Sequence, residues 1–167
     1  MEATHGRRVS LIFTDTEFDG FGGELISIAL IREDNEAIYI VYSLPKKPQQ
    51  WVAENVIPIL WSIPSPMPGM AYEVKTQEEG AYLLANFLNA AKQNKDDVPT
   101  IIADWPDDIA YLCKALITGP GKMASVPALN FALRRVDAYP TRYKEAVQHN
   151  AYHDAQALRV LIMDLCK

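Results

Sequence analysis

The stretch from Val9 to Leu44 most limits what this chain can fold into. It holds three runs rich in β-branched and aromatic residues: VSLIFTD at 9–15, ELISIALI at 24–31 and AIYIVYSL at 37–44. The glycine-rich DGFGG and the polar turn at 32–36 separate them. Each run has the length and composition of a strand, and breaks this short suit neighbours that pair antiparallel. Pro45 stops the third run. The chain is therefore expected to open as a three-stranded antiparallel meander.

The rest alternates between helical and strand patterns. Residues 49–60, QQWVAENVIPIL, have the spacing of a short helix, with Trp51, Val52, Asn55 and Val56 ahead of Pro58. Three prolines in IPSPMPG, at 63–69, call for an extended connector. From Gln77, the apolar positions Ala81, Leu84, Leu88 and Ala91 predict a helix, with acids at its start and Lys92 near its end to suit the dipole. VPTIIAD at 98–104 reads as a buried strand, followed by WPDD and a helix over IAYLCKALI capped by the aspartates. Gly119 and Gly121 break that helix, ALNFALRRV reads as another, and 149–166 form an amphipathic helix through Ala155, Leu158, Leu161 and Leu165. The expected architecture is a single α/β domain over 1–167, with a mixed sheet of meander and parallel strands flanked by helices.

Composition narrows the function classes. With 167 residues, 49% of them hydrophobic and 22% charged, the chain can build its own core without disulfides or a structural metal. Cys113 and Cys166 form no CxxC pair, which suits a reducing compartment. No run approaches the roughly 18–20 apolar residues of a membrane span, and MEATHGRRV lacks the apolar core of a signal peptide. A cytoplasmic protein without membrane partners is expected. The formal charge of −5 gives the whole molecule no pull toward long duplex nucleic acid.

Neither glycine-rich stretch is a nucleotide cradle: DGFGGEL lacks the third glycine of GxGxxG, and GPGKM lacks the first glycine and the Ser/Thr of a P-loop. Both are turn formers. The chemical signals are acidic instead. Asp15 and Glu17 in DTE fall on one face of the first strand, and two converging carboxylates repel unless protonated or bound to a hard cation. Asp104, Asp107 and Asp108 gather at the second buried strand's end, where one of the adjacent pair suffices as a cap. His149 and Asp154 stand together in HNAYHD at the last helix. His149 and His153, four apart, also have the spacing of a helical zinc pair, with Asp154 as a third ligand.

Taken together, D-x-E, an Asp at a strand-to-helix junction and His-x-x-x-x-Asp on the last helix resemble the DEDDh branch of the 3'-5' exonucleases, which have an RNase H-like fold. The likeness spans nearly the whole chain. DTEF, the Leu112-Cys113 register and HNAYHDAQALR look most like a compact bacterial group of exoribonucleases, related more distantly to oligoribonuclease and RNase T. The resemblance implies Asp15, Glu17, Asp108 and Asp154 as metal carboxylates and His149 as general base. It also implies two divalent cations, Mg²⁺ or Mn²⁺, and release of 5'-mononucleotides from the 3' ends of short single-stranded RNA or DNA. Where that group has an asparagine four residues before its third acid and an aromatic just before it, this chain has Asp104 and Asp107, so Asp104 is a rival ligand. Phe18 or Phe21 would stack on the terminal base, and Arg134, Arg135, Arg142 and Lys144 would meet phosphates. The alternatives are a catalytically silent RNase H-like domain that binds nucleic acid or protein, and the zinc hydrolase. The Trp and Pro segment at 51–68 offers a surface for a homodimer.

Overall fold

In the computed structural model, which describes residues 10–65, 69–91, 96–135 and 147–165, the first three β-rich runs pair as β1 (Leu11–Phe18), β2 (Leu25–Arg32) and β3 (Ala37–Val41). Both pairings are antiparallel, with Ile12 opposite Arg32 and Ile28 opposite Ile40. Residues 26–31 of β2 are buried without interruption, as expected of a strand covered on both faces. Parallel strands complete the sheet: β4 (Ala71–Glu73) beside β3, β5 (Thr100–Ala103) beside β1, and β8 (Asn130–Leu133) beside β5. Among the described residues the order is β4-β3-β2-β1-β5-β8, a mixed sheet.

Helices cover it. On one face α2 (Gln77–Ala90) and α3 (Pro106–Ala115) bury Leu84, Leu88 and Leu112 against Ile12, Ile28 and Leu30. A capping box starts α2: the Thr76 hydroxyl accepts from the Glu79 amide at 3.2 Å, and the Glu79 carboxylate accepts from the Thr76 amide at 3.3 Å. On the other face α1 (Gln50–Asn55) and α4 (Ala151–Leu165) pack Val52, Ala151 and Ala155 on Ile26 and Tyr39. Among the described residues, no helix is long and apolar enough to cross a membrane.

The sheet departs from expectation at its margins. The three-residue β4 follows the proline-rich connector and is too short to announce itself. The segment read as a helix around residue 130 is instead β8, because the β5 edge offers its backbone groups to a parallel partner. Asn130 N–H bonds to Pro99 C=O at 2.9 Å and Arg134 N–H to Ala103 C=O at 2.8 Å, overriding the helix preference of Ala and Leu. α3 stops at Ala115, and the residues that follow form a hairpin of β6 (Ile117–Gly119) and β7 (Lys122–Met123), turned by Gly121 at φ +69°. α1 is shorter than its pattern, and the chain turns through a 3₁₀ segment at Ile57–Ile59 around Pro58. Lys92, expected to offset the α2 dipole, and Cys166 lie outside the described residues.

Leu84 is wholly enclosed between α2 and the sheet. Leu84→Ala should destabilise the fold by about 2–5 kcal/mol, read as an unchanged slope and lowered midpoint in urea unfolding.

Candidate metal centre and adjoining cleft

β1 and β5 run parallel, so their carboxyl ends open into one crevice, where open α/β sheets present ligand sites. Alternation along β1 sends Asp15 and Glu17 to the same face. Asp104 follows β5 directly, Asp108 sits in the first turn of α3, and Asp154 in the first turn of α4. Carboxylate oxygens of Asp15, Glu17 and Asp154 lie within 4.8 Å of one another, as do those of Asp15, Asp104 and Asp108. Asp15 belongs to both groups, and either group is close enough to hold a metal ion. The rivalry between Asp104 and Asp108 is therefore not exclusive, since both meet Asp15.

Neighbouring groups fix each acid. Buried Asp108 does not cap α3. The residue at the cap position is Trp105, which makes no side-chain cap bond, and Pro106 opens the helix without needing a donor partner. Asp108 turns back to β1 instead, its Oδ1 accepting from the Thr16 amide at 3.0 Å and the Thr16 hydroxyl at 2.6 Å. On α4 the capping side chain is Asn150, whose Oδ1 accepts from the Tyr152 amide at 3.1 Å and the His153 amide at 3.4 Å. Its amide group donates to Ile59 C=O at 2.9 Å and so ties the start of α4 to the 3₁₀ segment. Asp154 Oδ2 accepts from the His149 amide at 3.2 Å.

The acids carry one another's repulsion. Burial, then the charges of Asp108, Asp154, Glu17 and Asp104, hold Asp15 well above the ordinary aspartate range. Glu17 is pushed up to about 8 by burial and by Asp154 and Asp108. Asp108 is pushed up to about 7 by burial, against the opposing pull of its Thr16 bonds. Burial also raises Asp104, while the Arg135 guanidinium draws it back. An all-oxygen donor set that retains protons for want of counter-charge fits a bound cation, which removes the cause of each shift.

His149 precedes α4 in the left-handed region, at φ +64°, rather than beginning the helix. Its exposed imidazole meets the Trp51 indole edge-on at 4.9 Å. The proposed zinc pair is not assembled: His153 is buried inside α4 with its Nε2 2.7 Å from Ser62 C=O. Among the described residues, both candidate metal groups consist of carboxylates alone.

Beside Glu17 opens a cleft of about 390 Å³ lined by Phe18, Phe21, Gln49 and Trp51. Phe21 is 85% exposed and Trp51 52% exposed, while Phe18 stacks on Tyr111 with ring centroids 4.5 Å apart. The Asp19 carboxylate accepts from the Gln49 amide at 2.8 Å, joining the two walls. Gly23 is required there, because a Cβ would stand 2.0 Å from the Asp19 carbonyl oxygen. Sequence reading passed over Gln49 and treated Trp51 only as helix or interface surface. The available signal was a large aromatic at a polar, exposed helix start. Arg134 and Arg135 are exposed, with the Arg135 guanidinium 4.6 Å from the Trp105 ring. Arg142 and Lys144 lie outside the described residues.

Comparison with protein-family models and with curated proteins returns no match for this chain.

The raised carboxyls make metal-free stability fall as pH rises. Their contribution is complete below the unfolded carboxyl range near pH 4 and is lost as pH passes through the folded values of about 7 and 8 for Asp108 and Glu17. In EDTA, Glu17→Gln should therefore gain thermal stability over the native chain at pH 8.5 and gain less at pH 6. Added Mg²⁺ or Mn²⁺ should raise the native Tm more at pH 8.5 than at pH 6. Equal shifts at both pH values would contradict the electrostatic account.

Proposed function

We propose that this chain is a metal-dependent 3'-5' exonuclease of RNase H-like fold. It would hydrolyse the terminal phosphodiester of short single-stranded RNA or DNA and release 5'-mononucleotides. The observation that carries the reading is the pair of carboxylate triads sharing Asp15 at the mouth of an aromatic cleft. The strand order, a meander continued by the parallel strands β5 and β8, supports the fold assignment. Hard oxygen donors favour Mg²⁺ or Mn²⁺ over zinc. Two such cations, when bound, supply a nucleophilic water near neutral pH and stabilise charge on the attacking and leaving oxygens. Together they carry four positive charges, enough to bring the formal −5 to −1 and remove the objection to a phosphate ligand.

The chain's own residues do the rest. Asp15 serves both triads, with Glu17 and Asp154 completing one and Asp104 and Asp108 the other. His149, whose backbone is tied to Asp154 and whose ring is exposed beside Trp51, takes the proton of the attacking water. The water oxygen bonds to phosphorus as the phosphorus–O3' bond breaks, and the leaving O3' takes a proton from solvent to become the 3'-hydroxyl of the shortened strand. Phe21 and Trp51 offer apolar faces to the terminal base, a sequence-tolerant contact worth about 1–3 kcal/mol per base.

Digestion of 5'-labelled RNA and DNA oligonucleotides with Mg²⁺, Mn²⁺ or EDTA tests this. A ladder shortening from the 3' end is expected, abolished by EDTA. Asp15→Asn should cost more than about a hundredfold and His149→Ala about 10²–10⁴-fold in kcat. A strand that binds yet stays intact with every metal would make the protein a catalytically silent nucleic-acid-binding domain.

A further inference from the structure

A second cleft, of about 310 Å³, lies across Tyr111 from the aromatic one, lined by Glu24, Tyr42, Lys75, Gln77, Tyr111 and Lys114. Its volume reaches the roughly 300–1,000 Å³ range of ligand sites. Two rigid supports hold its basic groups. Lys75 stands just before the capping box of α2, and Lys114 lies in the last turn of α3. The Gln77 side-chain amide bridges the two supports, donating to Lys114 C=O at 3.0 Å and Ile117 C=O at 2.8 Å. Neither ammonium is ion-paired with a described residue, since the ion pairs found there are both made by Arg32. Glu24 is the one acid among the lining residues, so the lining itself carries positive charge in excess in a molecule whose formal charge is −5, while the Glu79 carboxylate nearby is taken up by the Lys75 backbone amide at 2.8 Å.

Tyr111 joins this cleft to the first. One side of its ring stacks on Phe18, the Lys114 ammonium lies 5.5 Å from its centroid, and its hydroxyl donates to Gly23 C=O at 2.6 Å. Because α3 carries Asp108 near its start and Lys114 near its end, the two are separated by roughly 9 Å along the helix axis. At about 3.4 Å per nucleotide of stacked strand, that is roughly three nucleotides.

We propose that the Lys75–Lys114 cleft is a second binding site, holding backbone phosphates of the single strand upstream of the scissile bond. It thereby favours substrates longer than about three nucleotides. The site rests on the exonuclease reading for its orientation. A cation in water beside a phosphate gains from counterion release rather than from base identity, so the site is indifferent to sequence.

The test combines binding and turnover. Fluorescence anisotropy with a 5'-labelled seven-nucleotide strand and a dinucleotide, in EDTA over a salt series, gives the salt slope of binding. A single strand contributes about 0.7 to that slope per neutralised phosphate, so Lys75→Gln/Lys114→Gln should lower the seven-nucleotide slope by roughly 1.4. The dinucleotide slope should not follow, and Lys75→Arg/Lys114→Arg should keep the native value. The native preference for the longer strand, as a ratio of kcat/KM, should fall about tenfold in the glutamine variant. An unchanged slope, or an equal drop with both lengths, overturns the proposal while native hydrolysis leaves the exonuclease reading standing. Native binding without hydrolysis in Mg²⁺ or Mn²⁺ overturns the exonuclease reading instead, and the slope still decides the cleft.

Discussion

The parallel pairing of β1 with β5 is the constraint on which the site depends. It sets Leu11 opposite Thr100 and Phe13 opposite Ile102, so both strands end at the same edge and aim their following residues into one crevice. Asp15 and Glu17 from one strand and Asp104 from the other then cannot avoid each other, and α3 and α4 bring Asp108 and Asp154 to the same place. No packing gain follows from crowding five carboxylates. Desolvation and like charge both oppose it, and the surrounding core must offset the cost. Ile12 and Phe13, wholly buried earlier on the same strand, anchor β1 on both faces and hold it against that repulsion.

The two sides of the sheet contribute unlike parts. The α1 and α4 side supplies Trp51, His149 and Asp154, positioned through Asn150, which joins the α4 start to the 3₁₀ segment after α1. The α3 side supplies Asp108, Tyr111 and Lys114, spaced one helical turn apart along a single element. Phe18 at the end of β1 and Phe21 in the turn after it lie between, the turn being tied through Asp19 to Gln49.

Much of this was legible in the sequence, for physical reasons that also explain what was not. The meander and α2 were readable because Ile28, Leu30, Leu84 and Leu88 repeat at the periods of their elements, and burial enforces those periods. Asp15, Glu17, Asp108 and Asp154 were readable because acids at strand ends and helix starts are placed by the backbone. What failed depended on partners distant in sequence. β8 is a strand only because β5 has an unpaired edge, and the cap expected from one of Asp107 and Asp108 is not made, Asp108 being held instead by two donors of Thr16 across 92 positions. His149 lies outside the helix because Asn150 has the better capping side chain, which no periodicity reveals.

Asp104 shows how such a cluster exists without a cation. Burial and the charges of Asp154 and Asp108 raise Glu17, and burial and the charges of Asp104 and Asp107 raise Asp108, so each acid favours its neutral form while no positive charge stands among them. Glu17 and Asp108 are pushed up to about 8 and about 7, and Asp15 is raised with them. Each triad around Asp15 thus gathers acids whose mutual charges call for a positive centre. Asp104 differs in having a source of positive charge, Arg135, held over Trp105. Asp104 therefore comes with a counter-charge of its own, which offsets part of the repulsion that its carboxylate adds to Asp15. Replacing protons by divalent cations keeps this arrangement of acids and exchanges a weak, pH-dependent positive charge for a strong one.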